Sequence, residues 1–130
     1  MILDSSAVVA ILRAELEAPQ FARAIQAAEP RRISAVSYVE AAVVIDSSKD
    51  AIASRRFDDF FRASRIAVET VTAKQAEIAR QAYRDFGKGR HKAGLNFGDC
   101  FAYALAKELD EPLLFKGDDF RHTDVEAAKV

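Results

Sequence analysis

Four short apolar runs punctuate this chain, and helix-forming stretches separate them. Ile2-Leu3, Ile33-Ser34-Ala35-Val36, Ile66-Ala67-Val68-Glu69-Thr70-Val71 and Pro112-Leu113-Leu114-Phe115 read as strands. Strands joined through helices pair in parallel, and a parallel sheet needs helices over both faces. The alternation therefore predicts an α/β fold, an α/β/α sandwich with a short parallel sheet flanked by helices, as one domain over residues 1–130.

Local signals place the helices. Ser5 and Ser6 offer an N-cap to Ala7–Leu12, and Pro19 suits the first turn of a helix to Ala28 that Pro30 closes. Ser37 opens a helix from Tyr38 to Ile45. Another runs from Lys49 to Ala63, with Phe57, Phe60 and Phe61 at the helical spacing of core residues. Thr72 caps a long helix to Phe86 that Gly87 stops, and Asn96 begins one to Leu109. Lys88–Gly94 is a loop, and Gly117-Asp118-Asp119-Phe120 is a turn or short helix.

Several function classes drop out. Net charge is −1, so contact with nucleic acid needs local basic patches rather than a bulk field. The single Cys100 rules out an intrachain disulfide and a multi-cysteine zinc site, which fits a reducing cytoplasm. Asp4 arrives too early for the apolar core of a signal peptide, and no apolar run approaches the roughly 20 residues of a membrane helix. Phosphate-cradling G-x-x-x-x-G-K-[ST] and G-x-G-x-x-G loops are missing. Asp4-Ser5-Ser6 lacks the second acid of a phosphatase Asp-x-Asp, and no nucleophile elbow surrounds either serine.

What remains is a set of acids. Asp4 ends the first strand and Asp118 and Asp119 follow the last, and parallel sheets present functional groups at these carboxyl ends. Glu40 and Asp99 lie near helix starts and can point to the same edge. Each acid also has a purely structural explanation. Ser37-Tyr38-Val39-Glu40 and Asn96-Phe97-Gly98-Asp99 both have the form of capping boxes, and the others suit turns. Converged carboxylates, by contrast, cost stability without a cation and match the oxygen chemistry of Mg²⁺ or Mn²⁺. Two such ions clamp a phosphodiester without any protein nucleophile.

The ordered motifs resemble those of PIN-domain ribonucleases, especially VapC toxins of toxin–antitoxin pairs. Met1-Ile2-Leu3-Asp4-Ser5-Ser6-Ala7 resembles their opening, and Ser37–Glu40 their second acidic motif. The segment from Leu95 to Ala106 resembles their third and is the most specific; Leu113–Phe120 followed by Thr123-Asp124 resembles their last. The resemblance implies a PIN-like domain and a Mg²⁺- or Mn²⁺-dependent endoribonuclease that cleaves RNA with metal-activated water. It implies Asp4 and Asp99 as principal metal ligands, Glu40 completing the cluster, and Asp119 as the fourth catalytic acid, with Ser6 and Asp118 in support. Gly117 departs from the pattern, standing where such sequences often carry a further acid. A VapB-like antitoxin and a homodimer, or a heterotetramer or larger assembly with the antitoxin, are implied partners. Leu12, Phe21, Ile25 and Phe57 are candidates for the antitoxin groove.

RNA would be held by local cations. Among Arg31-Arg32, Arg55-Arg56, Arg62 with Arg65, and Lys88-Arg90-His91-Lys92, the last is the best candidate. Lys88, Arg90 and Lys92 sit in a glycine-flanked loop just before Asp99. Two other readings compete with a ribonuclease toxin: a non-catalytic PIN-like module that binds RNA or protein, and a nuclease acting on DNA.

Overall fold

The computed structural model describes residues 1–130. The elements run β1 (Ile2–Leu3), α1 (Ser5–Leu12), α2 (Ala18–Ala27), β2 (Arg32–Ser34), α3 (Ala35–Asp46), α4 (Ala51–Ser64), β3 (Ala67–Glu69), α5 (Ala73–Phe86), α6 (Phe97–Leu109) and β4 (Leu113–Leu114), with a short 3₁₀ turn at Asp119–His122. The strands form one sheet in the order β3-β2-β1-β4, and every pairing is parallel. This is the expected α/β/α sandwich. β1 is central, with Ile2 opposite Arg32 on one side and Leu113 on the other.

Side-chain alternation along the strands builds two cores. Ile2 and Leu113 point to one face, where Leu95, Leu105 and Phe115 join them from and around α5 and α6. Leu3, Ile33 and Leu114 point to the other, against Val8, Phe21, Ile25, Ile45 and Phe57 of α1–α4. Ile2, Leu3, Leu113 and Leu114 are all at most 1% exposed, so β1 and β4 are covered from both sides. Burying each such side chain contributes about 1.5–3 kcal/mol.

The helix starts differ from the sequence reading in instructive ways. Asp4, not Ser5 or Ser6, caps α1, accepting the Ser6 N–H. β2 ends at Ser34, whose Oγ accepts the Val36 N–H and starts α3 at once. Ser37 therefore lies buried within the first turn, and Glu40 falls in the second turn rather than closing a capping box. The Asn96–Asp99 box does form, with both reciprocal bonds present. α4 is capped by Asp50 and begins at Ala51. Gly87 ends α5 with an extended backbone, not a left-handed one; it is glycine because a Cβ there would overlap Tyr83. Phe57 is buried and Phe60 and Phe61 pack beside it, with Phe57 and Phe61 centroids 4.8 Å apart.

Candidate active site

Asp4 stands where β1 ends, its N–H bonded to the Leu114 carbonyl of β4 at 2.9 Å. The side chain is 2% exposed. Its Oδ2 accepts the Ser6 N–H at 3.0 Å and the Ser6 hydroxyl at 2.6 Å, whereas its buried Oδ1 has no partner. Ser6 Oγ in turn accepts the Lys116 N–H at 3.0 Å, which fastens the start of α1 to the chain leaving β4. Burial raises the Asp4 pKa, the Ser6 bonds oppose that rise, and the charge of Asp119 adds to it.

Asp99 is held by the helix it caps. Its Oδ2 accepts the Asn96 N–H at 3.0 Å, while Asn96 Oδ1 accepts the Asp99 N–H at 2.8 Å. Burial lifts its pKa to about 6; the Asn96 bond lowers it and the charges of Asp4 and Asp119 raise it further. Glu40 reaches the same region from α3. Its carboxylate lies directly over Gly98, where any Cβ would overlap it, and Ser5 Oγ approaches its Oε1 at 3.5 Å. Burial, then Asp4, then Asp99 push Glu40 up to about 7.

Asp118 and Asp119 separate clearly. Asp119, exposed at the start of the 3₁₀ turn, acts electrostatically on both Asp4 and Asp99. Asp118 has a side chain 84% exposed and faces Arg121 at 3.6 Å. It appears among the influences on none of the other acids. The structure thus brings Asp4, Glu40, Asp99 and Asp119 to one edge of the sheet and leaves Asp118 aside. Their oxygens do not close into a finished cage: no three His, Cys, Asp or Glu side chains stand close enough to hold one ion between them. Burial first, and then the charges of neighbouring acids across the gap, raise the pKa values of Asp4, Glu40 and Asp99.

The residues present fit a hard divalent cation. The donors are all carboxylate oxygens, and an orphaned buried Oδ1 on Asp4 lacks any protein counter-charge. Zinc finds no suitable set, because Cys100 is buried with its thiol pushed up to about 11 by burial and Asp99.

Three neighbours of the site were not read from sequence. Gly98 makes room for Glu40; a glycine in the first turn of an otherwise good helix was the available signal. Lys116 is a cation beside the site, but Glu15 at 2.8 Å and Glu17 at 3.3 Å hold it. Phe97 begins α6 with 75% of its surface exposed. Of the basic candidates, Arg31 is spent on the carbonyls of Ala28, Ser64 and Gln26, and Arg32 on Glu69 and Glu111. Arg62 pairs with Asp59. Lys88, Arg90 and Lys92 are exposed and take part in none of the ion pairs. Their loop is ordered around His91, whose Nδ1 accepts the Ala93 N–H at 3.0 Å and whose ring meets Phe86 edge-on. Asp124 lies away from the acids, binding Tyr103 Oη at 2.6 Å and Lys107 Nζ at 3.1 Å.

Sheet order and acid placement together define an α/β protein with a carboxylate cluster at the carboxyl edge of a parallel sheet. Residues 1–126 match the PIN domain family. Ribonuclease VapC28 of Mycobacterium tuberculosis is 52% identical over 129 residues, covering 98% of this chain and 97% of the relative. The crystal structure of Mycobacterium tuberculosis VapC20, described as a sarcin-ricin loop cleaving toxin, superposes with a TM-score of 0.76 at 16% identity, covering 95% of each chain. A chain from a Klebsiella pneumoniae toxin–antitoxin complex gives 0.70 at 17% identity, covering 95% of this chain and 92% of that one. This chain belongs to the PIN domain family and, within it, to the VapC group.

Proposed function

We propose that this chain is a toxin endoribonuclease that hydrolyses RNA phosphodiesters with Mg²⁺ or Mn²⁺. The observation that carries the reading is Asp4, a buried carboxylate with one oxygen bound by Ser6 and the other bare. An uncompensated buried charge is costly, and a cation removes the cost. Similarity to a relative named ribonuclease over nearly the whole chain supports the same reading.

Asp4 and Asp99 would hold the ion, each anchored through Oδ2 and presenting Oδ1. A bound divalent ion supplies a water of lowered pKa and positive charge for the leaving oxygen. Glu40, poised near 7, is suited to accept a proton at neutral pH. Gly98 keeps it in place, and Asp119 adds negative charge from the solvent side. Lys88, Arg90 and Lys92 would bind the RNA backbone.

The regulatory partner is an antitoxin. Phe21, Ile25 and Phe57 are buried and hold the fold together, so they leave little for a partner. A groove of mixed character nevertheless opens over Ile11, Ala22, Phe60 and Ala63, with the edge of Ile25 at its floor and Gln26, Arg31 and Ser64 on its walls, and would take an amphipathic antitoxin segment. An antitoxin Arg entering the acids would compete with the cation through charge-assisted bonds. The same reading carries a homodimer, which sedimentation of the purified chain tests.

The deciding experiment incubates structured and single-stranded RNAs and DNA with the protein in Mg²⁺, Mn²⁺ or EDTA, beside Asp99→Asn. Asn retains an acceptor for the Asn96 N–H, so the helix cap survives. Cleavage of RNA should require metal and fall by at least about 100-fold in the variant. Cleavage persisting in EDTA rejects the mechanism. RNA binding without cleavage by either protein selects the non-catalytic module, and preferential cutting of DNA selects the other nuclease.

A further inference from the structure

We propose that Glu15 and Glu17 are positioning residues for the metal site. They hold the Lys116 ammonium out of the carboxylate cluster, where it would otherwise stand in place of the divalent cation; this rests on the metal-dependent reading above. Lys116 is tied to the cluster through its backbone. Its N–H donates to Ser6 Oγ at 3.0 Å, and the Ser6 hydroxyl donates to Asp4 Oδ2 at 2.6 Å. Two hydrogen bonds thus separate the Lys116 backbone from a buried carboxylate whose other oxygen has no partner. A flexible four-carbon stem carrying a point charge spans that separation. An ammonium among these acids would gain charge-assisted hydrogen bonds, and its charge would oppose a divalent ion.

The side chain nevertheless turns the other way. Lys116 Nζ lies 2.8 Å from Glu15 Oε1 and 3.3 Å from Glu17 Oε2. Its charge acts on none of Asp4, Glu40 or Asp99. The backbone between α1 and α2 is built to place the two glutamates. α1 ends in a Schellman turn, in which the Ala14 N–H reaches the Ile11 carbonyl at 3.1 Å and the Glu15 N–H the Ala10 carbonyl at 2.9 Å. Ala14 takes a φ of 52° at the position where glycine is usual. The Glu15 carbonyl then accepts the Ala18 N–H at 2.9 Å, at the start of α2. Leu16, between the glutamates, is 93% exposed. The segment thus sends both carboxylates to Lys116 and leaves its one large apolar side chain in water, a cost that core packing does not explain. Half-exposed ion pairs contribute little to stability, so the worth of these two lies in where they leave the ammonium. Against Glu15 and Glu17 it stays partly hydrated, which entry among the buried acids would forfeit. That balance is close enough for two glutamates to decide it.

The test titrates Mg²⁺ and Mn²⁺ alone, by calorimetry and without RNA, into the parent, the double variant Glu15→Gln/Glu17→Gln, Lys116→Met, and the three changes combined. Circular dichroism checks each fold. The double variant should bind either ion roughly 10-fold more weakly, the worth of one charge-assisted hydrogen bond. Lys116→Met should leave the parent within about 2-fold, and should return the double variant to the same range. The rise in melting temperature on adding Mg²⁺ should rank the proteins in the same order. Unchanged affinity in the double variant would overturn the proposal. So would a loss that Lys116→Met does not restore, which would make the glutamates merely structural. An equal gain from Lys116→Met in both backgrounds would also overturn it, because removal of a distant charge acts alike in both. If the parent binds neither ion, the metal-dependent reading fails and the proposal with it; if the parent binds and the double variant binds equally, only the holding role fails.

Discussion

Replacing Glu40 by Gln should make the metal-free protein more stable at alkaline pH. Glu40 is raised from its ordinary 4.5 to about 7 by burial and by its acidic neighbours. A carboxyl raised in this way binds its proton more tightly in the folded chain than in the unfolded one. Its contribution to stability is therefore complete below pH 4.5 and is lost as pH rises through about 7. At 1.36 kcal/mol per pH unit the full loss is about 3 kcal/mol, and screening of a half-buried group reduces it to roughly 1–2 kcal/mol. Gln keeps the length and the acceptor facing Ser5 Oγ while removing the charge. Thermal unfolding in EDTA at about pH 8 should show the variant higher by roughly 3–10 °C, and the difference should vanish near pH 4.5. Saturating Mg²⁺ should reverse the order, because ligand at about 100 times its Kd adds about 2.7 kcal/mol to the protein that binds it better. A variant less stable than the parent in EDTA at the higher pH, or a gain identical at both, would show that burial and the neighbouring acids do not raise Glu40 as described.

Three further outcomes follow from the site. Gly98→Ala should leave the fold intact but displace the Glu40 carboxylate, lowering RNA cleavage on the order of 100-fold in a fluorogenic assay. Ser6→Ala removes a donor from Asp4 and an acceptor from the Lys116 N–H, so urea unfolding should report a loss of about 1–3 kcal/mol. Asp119→Asn should impair cleavage and weaken Mg²⁺ binding by calorimetry, whereas Asp118→Asn should leave both unchanged; the reverse pattern would reassign the fourth acid.

The layered fold was legible because the short apolar runs and the helical periodicities do not overlap. Strand order was not legible: nothing local to Ile2-Leu3 says that it pairs with both β2 and β4. Helix starts failed where two capping patterns competed. Ser37 and Glu40 have the spacing of a box, but Ser34 starts the helix earlier, directly from β2. At Asn96 no earlier cap competes, and the box is real. The four acids could be named from their positions, yet their separation into a buried, bonded Asp4 and an exposed Asp119 depends on the packing of β1 and β4. Gly98 escaped notice because its partner lies on another helix.

The sheet order has a bearing on synthesis. β1 is made well before β4, so its pairing with β4 must wait for Leu113 and Leu114. Asp119 emerges later still. Until then Asp4 lacks the Leu114 carbonyl beside its N–H and the Lys116 N–H that steadies Ser6. Such long-range closure is slow in folding chains. The carboxylate cluster therefore cannot be complete until the segment that carries Leu114, Lys116 and Asp119 has been made.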